Sequence, residues 1–208
     1  MGTMVLTLFL FSAGARSQSL AVAEQFRDIA GTPFFPRTYV DVNGSPYMFD
    51  DFQQSTITLF NGQVLKDIKI NFNLVNGELL YVDEKGQTMV ASPLTVKNIE
   101  ADARKFVPSP AKNAYCEVMS TQGKATLLRL YKKKIMETKA FNSATVQRSF
   151  QTTESHLLVV GEKATEVNSA NDLYEVLGDN LKDFAKTEKL RPKSVSSWVK
   201  IVNYYNSI

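Results

Sequence analysis

The chain holds one histidine, His156, and one cysteine, Cys116, and this alone narrows the chemistry open to it. A single imidazole excludes three-histidine and HExxH metal centres and leaves at most one base for any nucleophile. A single thiol excludes an internal disulfide and zinc sites built from several cysteines. His156 lies in Ser155-His156-Leu157-Leu158-Val159-Val160. In a strand it shares a face with Leu158 and Val160 while Ser155 points the other way, so no local Ser-His pair forms and the residue reads as a structural histidine. Cys116, between Tyr115 and Glu117, shares a face with Val118 and reads as a buried, inert thiol. No run has the acidic spacing of an EF-hand loop, and no metal or cofactor is expected.

Adjacent acids occur at Asp50-Asp51 and Asp83-Glu84. Neighbouring side chains of an extended chain diverge to opposite faces, so neither pair frames a scissile bond as two glycosidase carboxylates do, and both read as turn-stabilising, solvated acids. The one basic cluster is Arg129 with Lys132, Lys133 and Lys134, interrupted by Tyr131. Strand alternation sends Arg129, Tyr131 and Lys133 to one face and Lys132 and Lys134 to the other, so the cluster makes no single patch for nucleic acid. Aromatic residues crowd Tyr39, Tyr47, Phe49, Phe52 and Phe60, and Trp198, Tyr204 and Tyr205 gather near the other end. A ring face stacks on the apolar face of a pyranose. Trp198 and Tyr205 fall on the apolar stripe of a helix and read as core; Tyr47 and Phe49, near a loop with Asp50 and Asp51, are the candidate ligand-binding residues. No nucleophile motif or phosphate-cradling glycine loop accompanies them.

The frame that must position these groups has 208 residues, 44% hydrophobic and 22% charged, with a formal charge of +3. That suits one globular domain whose core needs no staple, and the mild charge does not point to nucleic acid. The apolar run Met4 to Phe11 is too short to cross a bilayer, which takes about 20 apolar residues. It precedes Ala13-x-Ala15, the small residues a signal peptidase requires, so residues 1–17 read as a secretory signal peptide and 18–208 as a single domain. An extracytoplasmic location, periplasmic or secreted, follows as an expectation, with no transmembrane segment in the mature chain.

Three Asn-Gly pairs, at Asn43-Gly44, Asn61-Gly62 and Asn76-Gly77, mark hairpin turns. Between them Ile68, Ile70, Phe72 and Leu74 alternate with Lys69, Asn71 and Asn73, the pattern of a half-buried strand. Further short strands are expected at Thr56–Leu59, Leu79–Val82, Thr88–Ala91, Leu94–Ile99, Tyr115–Met119, Ala125–Lys132 and Leu157–Val160. Past residue 168 the period becomes helical. Ser169 to Asp172 resembles a capping box before Leu173, Val176 and Leu177, and Leu181, Phe184 and Ala185 follow on one face. A last helix carries Val195, Trp198, Val199, Val202 and Tyr205 at spacings of three and four. A short N-terminal helix over Ser19 to Ala30 offers Leu20, Ala23, Phe26 and Ile29. The expected fold is α+β: a mostly antiparallel β-meander from about Tyr39 to Val160, as a sandwich or curved sheet, followed by C-terminal helices over about 169–206.

Gly44-Ser45-Pro46-Tyr47-Met48-Phe49-Asp50-Asp51-Phe52, Gly62-Gln63-Val64-Leu65, Ile70-Asn71-Phe72-Asn73-Leu74 and Glu78-Leu79-Leu80-Tyr81 resemble a family of uncharacterised exported proteins of Bacteroidota. Leu127-Leu128-Arg129-Leu130-Tyr131-Lys132-Lys133-Lys134 and Trp198 to Asn206 are similar to it too, and the likeness spans most of the mature chain. The sequence departs from the family pattern at Phe52 and Gln54-Ser55, where a tryptophan and then a glycine are usual. The resemblance implies an extracytoplasmic location and a β-rich body with a helical end, and carries over no catalytic residue. The function expected is a non-catalytic binding or structural module of the cell envelope, whose partner is an envelope polysaccharide or another envelope protein. The alternatives are a carboxylate-based hydrolase of glycan or peptide and a lipid or lipoprotein carrier.

Overall fold

The computed structural model describes Ile29 and residues 31–121, 123–139 and 146–208. The expected signal peptide and nearly all of the expected N-terminal helix lie outside the described residues; Ile29, one of the four apolar residues expected to pack, is fully buried. Among the described residues 47% are strand and 16% helix. In these described residues twelve strands come first: β1 Thr32–Pro33, β2 Val42–Asn43, β3 Gln53–Leu59, β4 Val64–Asn73, β5 Glu78–Val82, β6 Thr88–Val90, β7 Val96–Ala101, β8 Arg104–Pro108, β9 Tyr115–Val118, β10 Ala125–Lys139, β11 Val146–Val160 and β12 Lys163–Val167. Three helices follow, α1 Ala170–Leu177, α2 Leu181–Thr187 and α3 Val195–Ser207. The body is therefore β-rich, with a helical C-terminal end.

The strands form one sheet in the order β1-β6-β5-β4-β3-β7-β8-β9-β10-β11-β12, and β2 lies beside β11. Every pairing is antiparallel except β2 with β11. Asn61-Gly62 and Asn76-Gly77 turn β3 into β4 and β4 into β5, as expected. Gly77 needs its φ of +79°, and an added Cβ would stand 2.5 Å from the Asn113 carbonyl. Asn43-Gly44 makes no hairpin, because β2 runs parallel to β11 through Arg148 and Ser149. Strands β8 and β12 carry no alternation of apolar residues that the sequence could announce, and β10 and β11 extend to 15 residues each.

Register shows how one face of the sheet becomes the core. Ile70 stands opposite Tyr81 and Phe72 opposite Leu79, Ile57 opposite Ile99, and Ile99 opposite Phe106, and all of these are buried. The predicted face of Ile68, Ile70, Phe72 and Leu74 is buried throughout. Phe72 sits centrally, with ring centroids 4.7 Å from Phe106, 5.7 Å from Tyr115 and 6.3 Å from Phe49. Beyond β4 the Leu74 carbonyl accepts the Lys133 N–H of β10 at 3.0 Å, so the sheet curls until two strands distant in its order meet.

The same face continues across β10 and β11, where Leu127 stands opposite Leu158. There the helices cover it: Leu173, Leu177, Leu181, Trp198, Ile201 and Val202 pack on Ala125, Leu127, Leu158 and Val167. Trp198 is buried core, as the helical period predicts, and Tyr205 packs against this cluster. Burial of each large apolar side chain contributes about 1.5–3 kcal/mol, so these two clusters, with a third around Cys116, Leu128, Leu130 and Leu157, carry the fold.

Candidate ligand-binding cleft

The sequence places Asn71 and Asn73 on the solvated face of β4, yet both are buried. The reason is the segment before β3. Met48 N–H donates to the Phe72 carbonyl and Leu74 N–H to the Pro46 carbonyl, both at 2.9 Å, and Tyr47 bridges Asn73. After Met48 the ladder breaks, and Asn71 repairs it with its side chain. The Asn71 amide donates to the Phe49 carbonyl at 2.9 Å, while its oxygen accepts the Phe49 N–H at 3.2 Å. A buried amide with both ends satisfied fixes the path of residues 46–52.

From the other side Lys133 of β10 holds the same segment. Its ammonium donates to the Ser45 carbonyl at 2.9 Å and also to the Tyr47 carbonyl. Burial lowers the Lys133 pKa, and the charge of Asp50 opposes that shift.

Held in this way, Tyr47 and Phe52 form one wall of a cleft of about 550 Å³ on the outer face of the β5–β6 hairpin. The floor is Leu80, with Gln87 and Thr88 beside it, and Pro33, Phe34, Phe35 and Pro36 form the opposite wall. That wall is fixed where Phe34 N–H donates to the Thr88 carbonyl at 3.0 Å. Phe35 is 82% exposed. Among the described residues, four aromatic rings therefore line a cleft whose polar groups are a phenol, an amide and a hydroxyl, with no charged side chain among those lining residues. Burial raises the Tyr47 pKa, reinforced by Tyr39 and Glu78, so the phenol is a protonated donor at neutral pH.

Of the four residues the sequence singles out, the structure places Tyr47 in the cleft. Phe49 points the opposite way into the core, 8% exposed, with the Arg104 guanidinium 5.0 Å from its ring centroid. Asp50 and Asp51 are exposed and stand outside the lining; the Asp51 carbonyl accepts the Gln53 side-chain amide at 3.0 Å. The structure does not bring the four together. The opposite wall went unread, although Pro33-Phe34-Phe35-Pro36 carries a signal: two large rings fixed between prolines, in a stretch too short to form a core element.

Other reactive groups are differently placed. Cys116 is fully buried and its thiol pKa is pushed up by burial, against smaller lowering effects from Ser109 and Lys112. A depression of about 450 Å³ at the β7–β8 turn is lined by Asp67, Glu100, Asp102, Arg104 and Lys105 among others. Its three carboxylates are exposed, and Asp102 pairs with Arg104 at 2.8 Å. Among the described residues no group of three His, Cys, Asp or Glu is arranged to hold a metal, and no helix is long and apolar enough to cross a membrane.

Comparison of the chain with protein-family models, with curated proteins and with solved structures returns no match.

Proposed function

We propose that this protein is an exported, non-catalytic binding module of the cell envelope whose outer cleft takes a neutral glycan. The observation that carries the reading is the lining itself: Phe34, Phe35, Tyr47 and Phe52 around Leu80, with Tyr47, Gln87 and Thr88 as the polar groups. Ring faces meet the C–H face of a pyranose, while a phenol, an amide and a hydroxyl match its hydroxyls in both donor and acceptor senses. A charged ligand would find no counter-charge among the described residues of this lining. A lipid chain would gain nothing from the polar groups. The apolar run and Ala13-x-Ala15 at the N-terminus, and the resemblance to exported proteins of Bacteroidota, support the location.

A glycan array probed with the full chain, together with a panel of chromogenic glycosides, tests this reading. Binding to neutral glycans without turnover is the expected result. Turnover that disappears when Asp67, Glu100 or Asp102 is replaced would favour the hydrolase instead.

A further inference from the structure

Between the two apolar clusters the inner face of the sheet is polar. Register aligns Glu117 of β9, Arg129 of β10 and His156 of β11 in one row, and Tyr131 stands opposite Glu154 in the next. The acids are engaged within this grid. Glu117 accepts the Tyr131 hydroxyl at 2.6 Å, Tyr131 accepts Arg129 Nη1 at 3.0 Å, and Arg129 Nε lies 3.5 Å from Glu154. His156 is 8% exposed, and its Nε2, like Arg129 Nε, has no hydrogen-bond partner among the described residues. Its ring instead meets Trp198 of α3 in a T-shaped contact, centroids 5.2 Å apart.

We infer that His156 is an acid-sensitive latch: its neutral ring docks the first half of α3 on the sheet, and protonation releases that half while the sheet stays folded. A proton on Nε2 would be a buried donor with no acceptor. The charged groups acting on the ring are Arg129, which opposes the proton, and Glu154, which favours it and already lies beside Arg129. Val167, the partner of His156 on β12, and Trp198 on α3 bring no charge. Burial, then Arg129, lowers the His156 pKa. Between that value and the ordinary imidazole pKa of about 6.5, the docked form binds fewer protons than the released form, so falling pH favours release.

The far half of α3 is held independently. Asn203 accepts the Thr121 N–H at 2.8 Å, and Asn206 accepts the Ala125 N–H at 2.9 Å and donates to the Ala125 carbonyl at 2.8 Å. The helix therefore hinges at 203–206, and the opening lies at Trp198.

His156 and Trp198 are each the only residue of their type, so both ends of the latch can be read without labels. Trp198 fluorescence of the full chain from pH 8 to pH 4, with hydrogen exchange over the same range, tests it. The expected result is one fluorescence transition with its midpoint below 6.5. Exchange of amides 197–202, corrected for intrinsic rates, should rise up to about tenfold per pH unit below 6.5 while Ile57 and Ile99 stay protected. His156→Phe should abolish the transition and keep 197–202 protected. A midpoint at or above 6.5 would overturn the inference, as would protection of 197–202 that ignores pH, loss of all amides together, or an unchanged transition in the variant. Where the variant does not fold, exchange of the unmodified chain decides between local and global opening.

Discussion

The Asn71 side chain stands in for a strand beside Phe49, meeting both its N–H and its carbonyl at 3.2 and 2.9 Å. Asn71→Ala leaves those buried groups unpaired, at about 1–3 kcal/mol each. Urea denaturation should show a lower midpoint with an unchanged slope. Because the same bonds fix residues 46–52, the variant should also bind less of any cleft ligand.

Phe72 touches three aromatic rings, and Phe72→Ala should cost about 3–5 kcal/mol. A thermal melt within a degree or two of the unmodified chain would show that this cluster is not the main support of the sheet.

The face of β4 that carries Ile68, Ile70, Phe72 and Leu74 was legible because a period of two with large apolar residues has few other readings. The burial of Asn71 and Asn73 was not, since it depends on a segment before β3 crossing the strand's other face, and polar side chains in alternation read as solvated. Phe49 failed for the same reason in reverse: proximity to a loop says nothing about which side of the chain a ring takes. Tyr47 was legible as an aromatic residue near a turn, but its partner wall at Phe34 and Phe35 directly follows β1, which pairing with β6 brings over, a contact of long sequence separation that no local pattern encodes.

The start of α1 should respond to acid. Asp172 accepts the N–H groups of Asn168 at 2.6 Å and Ser169 at 3.0 Å and the Ser169 hydroxyl at 3.1 Å, and these bonds hold its pKa below the usual carboxylate range. Its contribution is therefore present above the unfolded value of about 3.9 and is lost as pH falls through the lower folded value. Asp172→Ala should lower stability at pH 7 by removing the N3 partner of the capping box, and the difference from the unmodified chain should shrink as pH falls below about 3.9. A difference that stays the same size as pH falls below about 3.9 would contradict this.

Cys116, fully buried with its thiol pKa raised, should resist a thiol reagent at pH 8 in the folded chain and react on addition of denaturant. Prompt modification of the native chain would mean that the outer face of β9 opens.

Calorimetric titration of the full chain with neutral oligosaccharides, beside Phe52→Ala and Phe60→Ala, tests the proposed cleft most directly. Phe52 lines it, whereas Phe60 is an exposed phenylalanine outside it. At least one oligosaccharide should bind, with Phe52→Ala weakening it about thirtyfold, the size of a binding anchor worth about 2 kcal/mol, and Phe60→Ala leaving it unchanged. Absence of binding across neutral sugars, or equal affinity in all three proteins, would contradict the account.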